Sequence, residues 1–272
     1  MNTPATDPRQ RSEAQVGRTF RQLWSKVDPN LPAKLDPMSE EIATIVSSAL
    51  PRGRRLSILE AGSGTGRISE VLARAGHDVT LLDISQEALA ISRRVFQRSG
   101  QPFRGVQGSI FGIPLADEAY DVVWNAGVLE HFYRDEQLSA LRELTRVLKR
   151  DGLLITLNPS AKGWIYRLGK YIREKRGLWL YGQEFPVATF QAHCDQLGIR
   201  LVREEQALPE YQLAFLPLIG PLIYLICRRI GLMGRVTRRL AGGYLLLSVI
   251  QKARAQSQDA GADRIRTNSN GH

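Results

Sequence analysis

The stretch Leu56-Ser57-Ile58-Leu59-Glu60-Ala61-Gly62-Ser63-Gly64-Thr65-Gly66 constrains the fold more than any other part of the chain. A short apolar run ends in an acid and is followed by three glycines at alternate positions. Such a run reads as a buried parallel strand. The glycines allow a tight turn and let a ligand approach the backbone with no Cβ in the way. Ile68, Val71, Leu72 and Ala75 then recur at helical spacing, so the loop opens onto a helix N-terminus. Strand, glycine loop and helix together predict an α/β fold with a nucleotide-type site at the carboxyl end of the strand. A dinucleotide fingerprint would need glycine at 67, where the chain has Arg67, and the loop lacks the Lys-Ser/Thr of a phosphate-cradling loop. Glu60 would repel a pyrophosphate but suits a cationic ligand.

The pattern Glu60-x-Gly62-x-Gly64-x-Gly66 resembles motif I of the class I S-adenosylmethionine-dependent methyltransferases. The resemblance implies a Rossmann-like, doubly wound sheet of about seven strands with the last strand antiparallel, and S-adenosylmethionine as cofactor. It places Gly62, Ser63, Gly64 and Gly66 against the methionine part and Glu60 near its amino group. The next elements follow in order. Val79–Asp83 is a second apolar run ending in an acid, and a carboxylate there can accept both ribose hydroxyls. Ile84 is placed on the adenine. Ser85 suits the N-cap of a helix over 86–98, with Glu87 in its first turn. A third strand is expected over 103–108. The segment 108–121 resembles the one that ends near the adenine, with Ser109, where many members have Asp, and Ile110 as contacts. A fourth strand, 121–126, contributes Asn125. Gly127 to Phe132 leaves its carboxyl end, a helix is expected over 135–148, and a fifth strand over 153–157 is closed by Asn158-Pro159. The resemblance covers roughly residues 38–158.

The remainder is read from composition and periodicity. Residues 1–36 form an N-terminal extension, polar and expected to be disordered over 1–11, with a short helix from Ser12 to Lys26. The domain itself is expected over 37–206 and 243–254, beginning with a helix that carries Ile42, Ile45, Val46 and Leu50 on one face. The tail 255–272 is expected to be disordered. Two cysteines, Cys194 and Cys227, with no signal peptide, read as free thiols in a reducing, cytoplasmic setting. No Cys/His spacing suggests a metal site.

After Pro159 the charge changes. Residues 1–159 carry 20 Lys/Arg and 19 Asp/Glu, a net +1, whereas residues 160–256 carry 15 and 6, a net +9. A bias of that kind implies an anionic partner. Strands over 199–205 and 244–250 would complete the sheet, leaving residues 207–242 as a long hydrophobic and basic insertion before the last strand. Its run from Leu213 to Cys227 is shorter than a spanning helix, is interrupted by Pro217 and Pro221, and is followed by Arg228 and Arg229. It reads as an interfacial, peripheral membrane contact, or equally as a lid over the acceptor site or a dimer contact.

Methyl transfer is an in-line displacement, so positioning dominates, and a base is needed chiefly for a hydroxyl acceptor. His131 is the candidate base beside its structural alternative. Glu130 is read as a loop-orienting group, His193 as structural and Trp124 as core, and the resemblance puts Tyr181 and Glu184 near the acceptor pocket. The expected acceptor is a lipid, lipid-linked saccharide or other amphipathic molecule at an anionic membrane surface, with a soluble small-molecule acceptor or a non-catalytic scaffold role as alternatives. Nucleic acid is disfavoured, because the basic residues alternate with long apolar runs instead of an exposed aromatic platform. The oligomeric state stays open.

Overall fold

The computed structural model describes residues 8–28, 34–217, 220–230 and 242–252. The tail 255–272 and parts of the N-terminal extension and of the insertion lie outside these residues. Two helices precede the sheet, α1 (Pro8–Trp24) and α2 (Pro37–Ala49). Helix α1 begins four residues before Ser12, so the expectation of disorder over 1–11 does not hold for 8–11. Asp36 caps α2, accepting the Ser39 amide at 3.0 Å, and Pro37 follows at a position whose amide a helix leaves unpaired.

The sheet's strands and their helices follow in the order β1 (Ser57–Ala61), α3 (Arg67–Arg74), β2 (Asp78–Asp83), α4 (Gln86–Ser99), β3 (Arg104–Gln107), β4 (Tyr120–Ala126), α5 (Arg134–Arg146), β5 (Leu148–Pro159), α6 (Trp164–Lys175), α7 (Gln191–Leu197), β6 (Arg200–Ala207), α8 (Gly220–Ile230) and β7 (Leu245–Gln251). Ser85 caps α4 as its sequence position suggests, its hydroxyl accepting the Ala88 amide at 3.2 Å. One seven-stranded sheet has the order β3-β2-β1-β4-β5-β7-β6. Every neighbouring pair is parallel except those made by β7, which runs antiparallel to β5 and β6. The expected Rossmann-like architecture is therefore the observed one.

Two features of this topology position the site. The strand order reverses between β1 and β4, and ligands of open α/β sheets bind at such a switch point outside the carboxyl ends. Because β7 is antiparallel, its start lies beside the end of β5, with Leu245 opposite Pro159. Both faces of the sheet are covered. One apolar cluster joins Ile58, Leu81 and Trp124 to α2, α3 and α4, and the other joins Leu59, Val123 and Leu154 to α5 and α7. Trp124 is fully buried, in keeping with its reading as core, and its indole donates to the Ser69 hydroxyl at 3.1 Å. The 3-10 turn Pro209–Phe215 inside the insertion is also built into the core, burying Pro209, Tyr211, Gln212 and Leu213.

Candidate active site

A cavity of about 450 Å³ opens at the carboxyl ends of β1 to β5 and beside the start of β7. Its first half is made by the turns after β1, β2 and β3. Gly62 has a left-handed φ of +78°, and a Cβ there would stand 2.6 Å from Val128, so only glycine lets this loop lie against the turn after β4. Gly64, at φ +52°, lies beneath the Trp24 ring of α1, 2.9 Å from where a Cβ would be. Asp83 ties the loop to the end of β2. One carboxylate oxygen accepts the Gly64 amide and the other the Ser85 amide, both at 2.8 Å. Its burial pushes the carboxyl up from its ordinary value, against the pull of those amides.

Glu60 is the most strongly perturbed group of this half. It is 6% exposed, and one carboxylate oxygen has no partner. Desolvation pushes its carboxyl well up, opposed by a hydrogen bond from Ser69 and reinforced by the nearby Asp83. A buried acceptor without a donor marks a place where a ligand group belongs. Ser63 shows the same sign, with a buried hydroxyl that has no partner. Ile84 and Ile110 line the same half from the turns after β2 and β3.

The second half is made by distant segments. The short turn Leu129–His131 after β4 supplies Glu130 and His131, both buried. His131 Nδ1 lies 2.9 Å from the Gln183 carbonyl oxygen. A carbonyl can only accept, so Nδ1 carries the hydrogen and Nε2 presents a lone pair. Burial lowers the imidazole pKa, which keeps the ring neutral at pH 7. Glu130 has one oxygen 3.8 Å from His131 Nε2, while the other is buried without a partner. Desolvation, then repulsion from Glu184, pushes the Glu130 carboxyl well up. Glu184 is itself pushed up by burial and accepts the Tyr166 hydroxyl at 2.7 Å. Phe20, Trp179, Tyr181, Phe215 and Tyr244 complete the wall. Phe20 stands edge-on to His131, with ring centres 5.0 Å apart.

Of the residues singled out in the sequence, Glu60, Gly62, Ser63, Gly64, Asp83, Ile84, Ile110 and His131 line one cavity, as do Tyr181 and Glu184. Gly66, Ser109 and Asn125 stand outside its lining. Gly66 begins α3. The Ser109 hydroxyl accepts the Phe111 amide at 2.9 Å, and the Asn125 carbonyl accepts the Thr156 hydroxyl at 2.7 Å. His193 is buried against Phe190, away from the cavity. Sequence reasoning did not single out Tyr166, Phe215 or Tyr244 as site residues. The signal for Tyr244 was available, since an antiparallel last strand starts where its neighbour ends. Among the described residues, no group of three or more His, Cys, Asp or Glu side chains could hold a metal ion.

Residues 59–156 match the family described as Methyltransferase domain. That match spans β1 to β5 and every cavity residue from Glu60 to Phe132. Over these residues the chain is similar to the class I S-adenosylmethionine-dependent methyltransferases, whose cofactor is S-adenosylmethionine. Over 157 residues the chain is 30% identical to a malonyl-[acyl-carrier protein] O-methyltransferase of Pectobacterium atrosepticum, covering 58% of this chain and 59% of that protein. It is 36% identical over 112 residues to the uncharacterized methyltransferase YbaJ of Bacillus subtilis, covering 40% and 43%. The chain thus spans about half the length of the curated relatives it matches. Its fold is that of magnesium protoporphyrin IX methyltransferase from Synechocystis, solved with bound SAH, at a TM-score of 0.57 and 15% identity over 91% of this chain and 100% of that one. The cavity fits that cofactor chemically. The orphaned Glu60 oxygen suits an ammonium group, Asp83 keeps lone pairs for ribose hydroxyls, and Ile84 and Ile110 offer apolar cover for a base.

Proposed function

We propose that the chain transfers a methyl group from S-adenosylmethionine to an amphipathic acceptor presented at a membrane surface. The observation that carries the transfer is the continuity of the cavity, which joins Glu60 and Asp83 to His131 without an intervening wall. The cofactor, when bound, supplies an electrophilic methyl group on a sulfonium. Glu60, Ser63 and Asp83 hold and orient it, Trp24 and Phe20 of α1 exclude water, and His131 Nε2 takes the proton that the acceptor loses. Gly66, Ser109 and Asn125 support the cofactor half from behind its lining.

The surface location rests on exposed apolar side chains where a water-soluble acceptor would need none. Trp164, Leu168 and Tyr171 stand exposed on α6 at helical spacing, and Leu222, Leu225 and Ile226 stand exposed on α8. Both helices pack against the 3-10 turn that carries Phe215 into the cavity: Gly169 of α6 lies under Phe215, and Tyr224 of α8 meets Tyr211 with ring centres 5.0 Å apart. The same region carries the basic excess, which suits an anionic lipid surface on the cytoplasmic side. Among the described residues no helix is long and apolar enough to cross a membrane.

The test is co-sedimentation with anionic liposomes, comparing the full chain with the triple variant Leu222→Ser, Leu225→Ser, Ile226→Ser at low and high salt. All three side chains are exposed, so thermal stability is expected to change by less than about 1 kcal/mol in total. Sedimentation of the parent chain and its loss in the variant are expected. Equal behaviour of the two proteins would contradict a membrane surface and turn the search to soluble acceptors.

A further inference from the structure

The acceptor half of the cavity has a charge balance that narrows what it can hold. Among the described residues the lining includes the acids Glu13, Glu60, Asp83, Glu130 and Glu184 and no lysine or arginine, although Lys170, outside the lining, is near enough for its charge to act on Glu184 and His131. Glu13 lies on α1, and Glu60 and Asp83 face the cofactor half, which leaves Glu130 and Glu184 beside His131. Glu130 is 2% exposed and lines the cavity, and one of its oxygens has no hydrogen-bond partner. A buried carboxyl without a donor is costly, and it is retained where a ligand supplies the donor. Both carboxyls are held above their ordinary range by burial, and Glu184 adds repulsion at Glu130. A cation entering this half would remove that repulsion, whereas a carboxylate would add a third negative group to it. The walls point the same way. Tyr166, Tyr244 and Phe215 pack with ring centres 4.6 to 4.9 Å apart and line the cavity beside Trp179 and Tyr181. Aromatic faces attract a cation and carry no preference for an anion.

Resting on the reading of the chain as a methyltransferase, we infer that the acceptor is an amine whose ammonium head sits between Glu130 and Glu184, against the aromatic wall. The step balances without a further reactant. The ammonium gives one proton to His131 Nε2, whose Nδ1 stays bonded to the Gln183 carbonyl. The freed nitrogen lone pair forms the N–C bond as the C–S bond breaks, and the bonding pair leaves on sulfur. The imidazolium formed is balanced by Glu130, 3.8 Å away. Glu184, fixed by the Tyr166 hydroxyl, holds the charge of the methylated ammonium. In this scheme the acid pair selects the head group, and the apolar exposed helices select what the head is attached to.

The experiment uses the full chain and three probes that share one apolar tail: hexylamine, hexanol and hexanoate. Their binding is titrated in the presence of S-adenosylhomocysteine, whose own affinity is measured first, and products of incubation with S-adenosylmethionine are read by mass. Hexylamine is expected to bind at least about tenfold more tightly than hexanol, with hexanoate weakest, and to gain one methyl on nitrogen. The isosteric Glu130→Gln is expected to remove that preference while leaving S-adenosylhomocysteine affinity within about twofold. Failure of S-adenosylhomocysteine to bind the parent chain would overturn the methyltransferase reading itself. Cofactor binding with no preference for the amine, including no probe binding at all, would overturn the amine inference alone. So would methylation of hexanol or hexanoate in its place. The parent chain's selectivity decides the matter even if the variant does not fold.

Discussion

The two halves of the cavity are built in opposite ways. The cofactor half comes from consecutive turns between Glu60 and Ile110, all at the ends of parallel strands, and it is held by backbone: Asp83 grips the Gly64 and Ser85 amides. The acceptor half draws on Phe20, Glu130, His131, Tyr166, Trp179 to Glu184, Phe215 and Tyr244, and it is held mainly by side chains packed on side chains, with His131 also bonded to the Gln183 carbonyl. The first half can therefore be specified by a local motif and reused. The second can be rebuilt by changing helices and turns outside the parallel strands, without disturbing the cofactor. This division explains how one fold serves many acceptors.

If the halves are separable, single changes should act on one and spare the other. The largest split is expected for His131→Ala. Turnover (kcat/KM) should fall about 100-fold or more while S-adenosylhomocysteine affinity stays within about twofold, read by steady-state kinetics and calorimetry. A parallel loss of cofactor affinity would show the halves to be one unit.

Glu60→Gln should do the reverse, weakening cofactor binding about tenfold. It also carries a pH signature. The folded-state pKa of Glu60 is raised, so the native protein binds more protons than the unfolded chain above the ordinary carboxyl value near 4.5. The group therefore lowers stability as pH rises through that window, and its penalty vanishes below it. The apo Glu60→Gln protein should gain melting temperature over the parent at pH 8, with the gain shrinking toward pH 5. A gain that grows on acidification would contradict the assignment. The smallest effect is expected for Trp24→Ala, which uncovers Gly64: about threefold faster cofactor release, measured by stopped flow, with the acceptor probes unaffected.

The same contrast sets what could be seen in the sequence. Strand β1, its glycines and Asp83 were legible because the chemistry sits within about 25 residues of chain and each residue type has a local reason. The seven strands and the antiparallel last one were legible with shifts of a few residues. The longest discrepancy is β5, which starts at Leu148 instead of Leu153 because Leu148 pairs with Tyr120 ahead of an irregularity in the ladder. Helix α1 was read as starting at Ser12. A proline at its first position lets it begin at Pro8, which periodicity alone does not show. The acceptor half was only partly legible. Tyr166 and Phe215 look like ordinary apolar spacing until the 3-10 turn 209–215 brings them together at 4.6 Å. Glu130 reads as a loop-orienting group until its burial and missing partner are seen.

The central claim is that Glu60, the glycine loop and Asp83 form the S-adenosylmethionine site. It is tested most directly by titrating S-adenosylhomocysteine into the full chain and into Asp83→Ala. Losing that carboxylate frees two backbone amides and removes the ribose acceptor, a cost of about 2.7 kcal/mol or more. The account predicts one saturable site in the parent chain and at least about 100-fold weaker binding in the variant, with the fold retained by circular dichroism. Equal binding by a folded Asp83→Ala protein, or no binding by the parent chain, would contradict it.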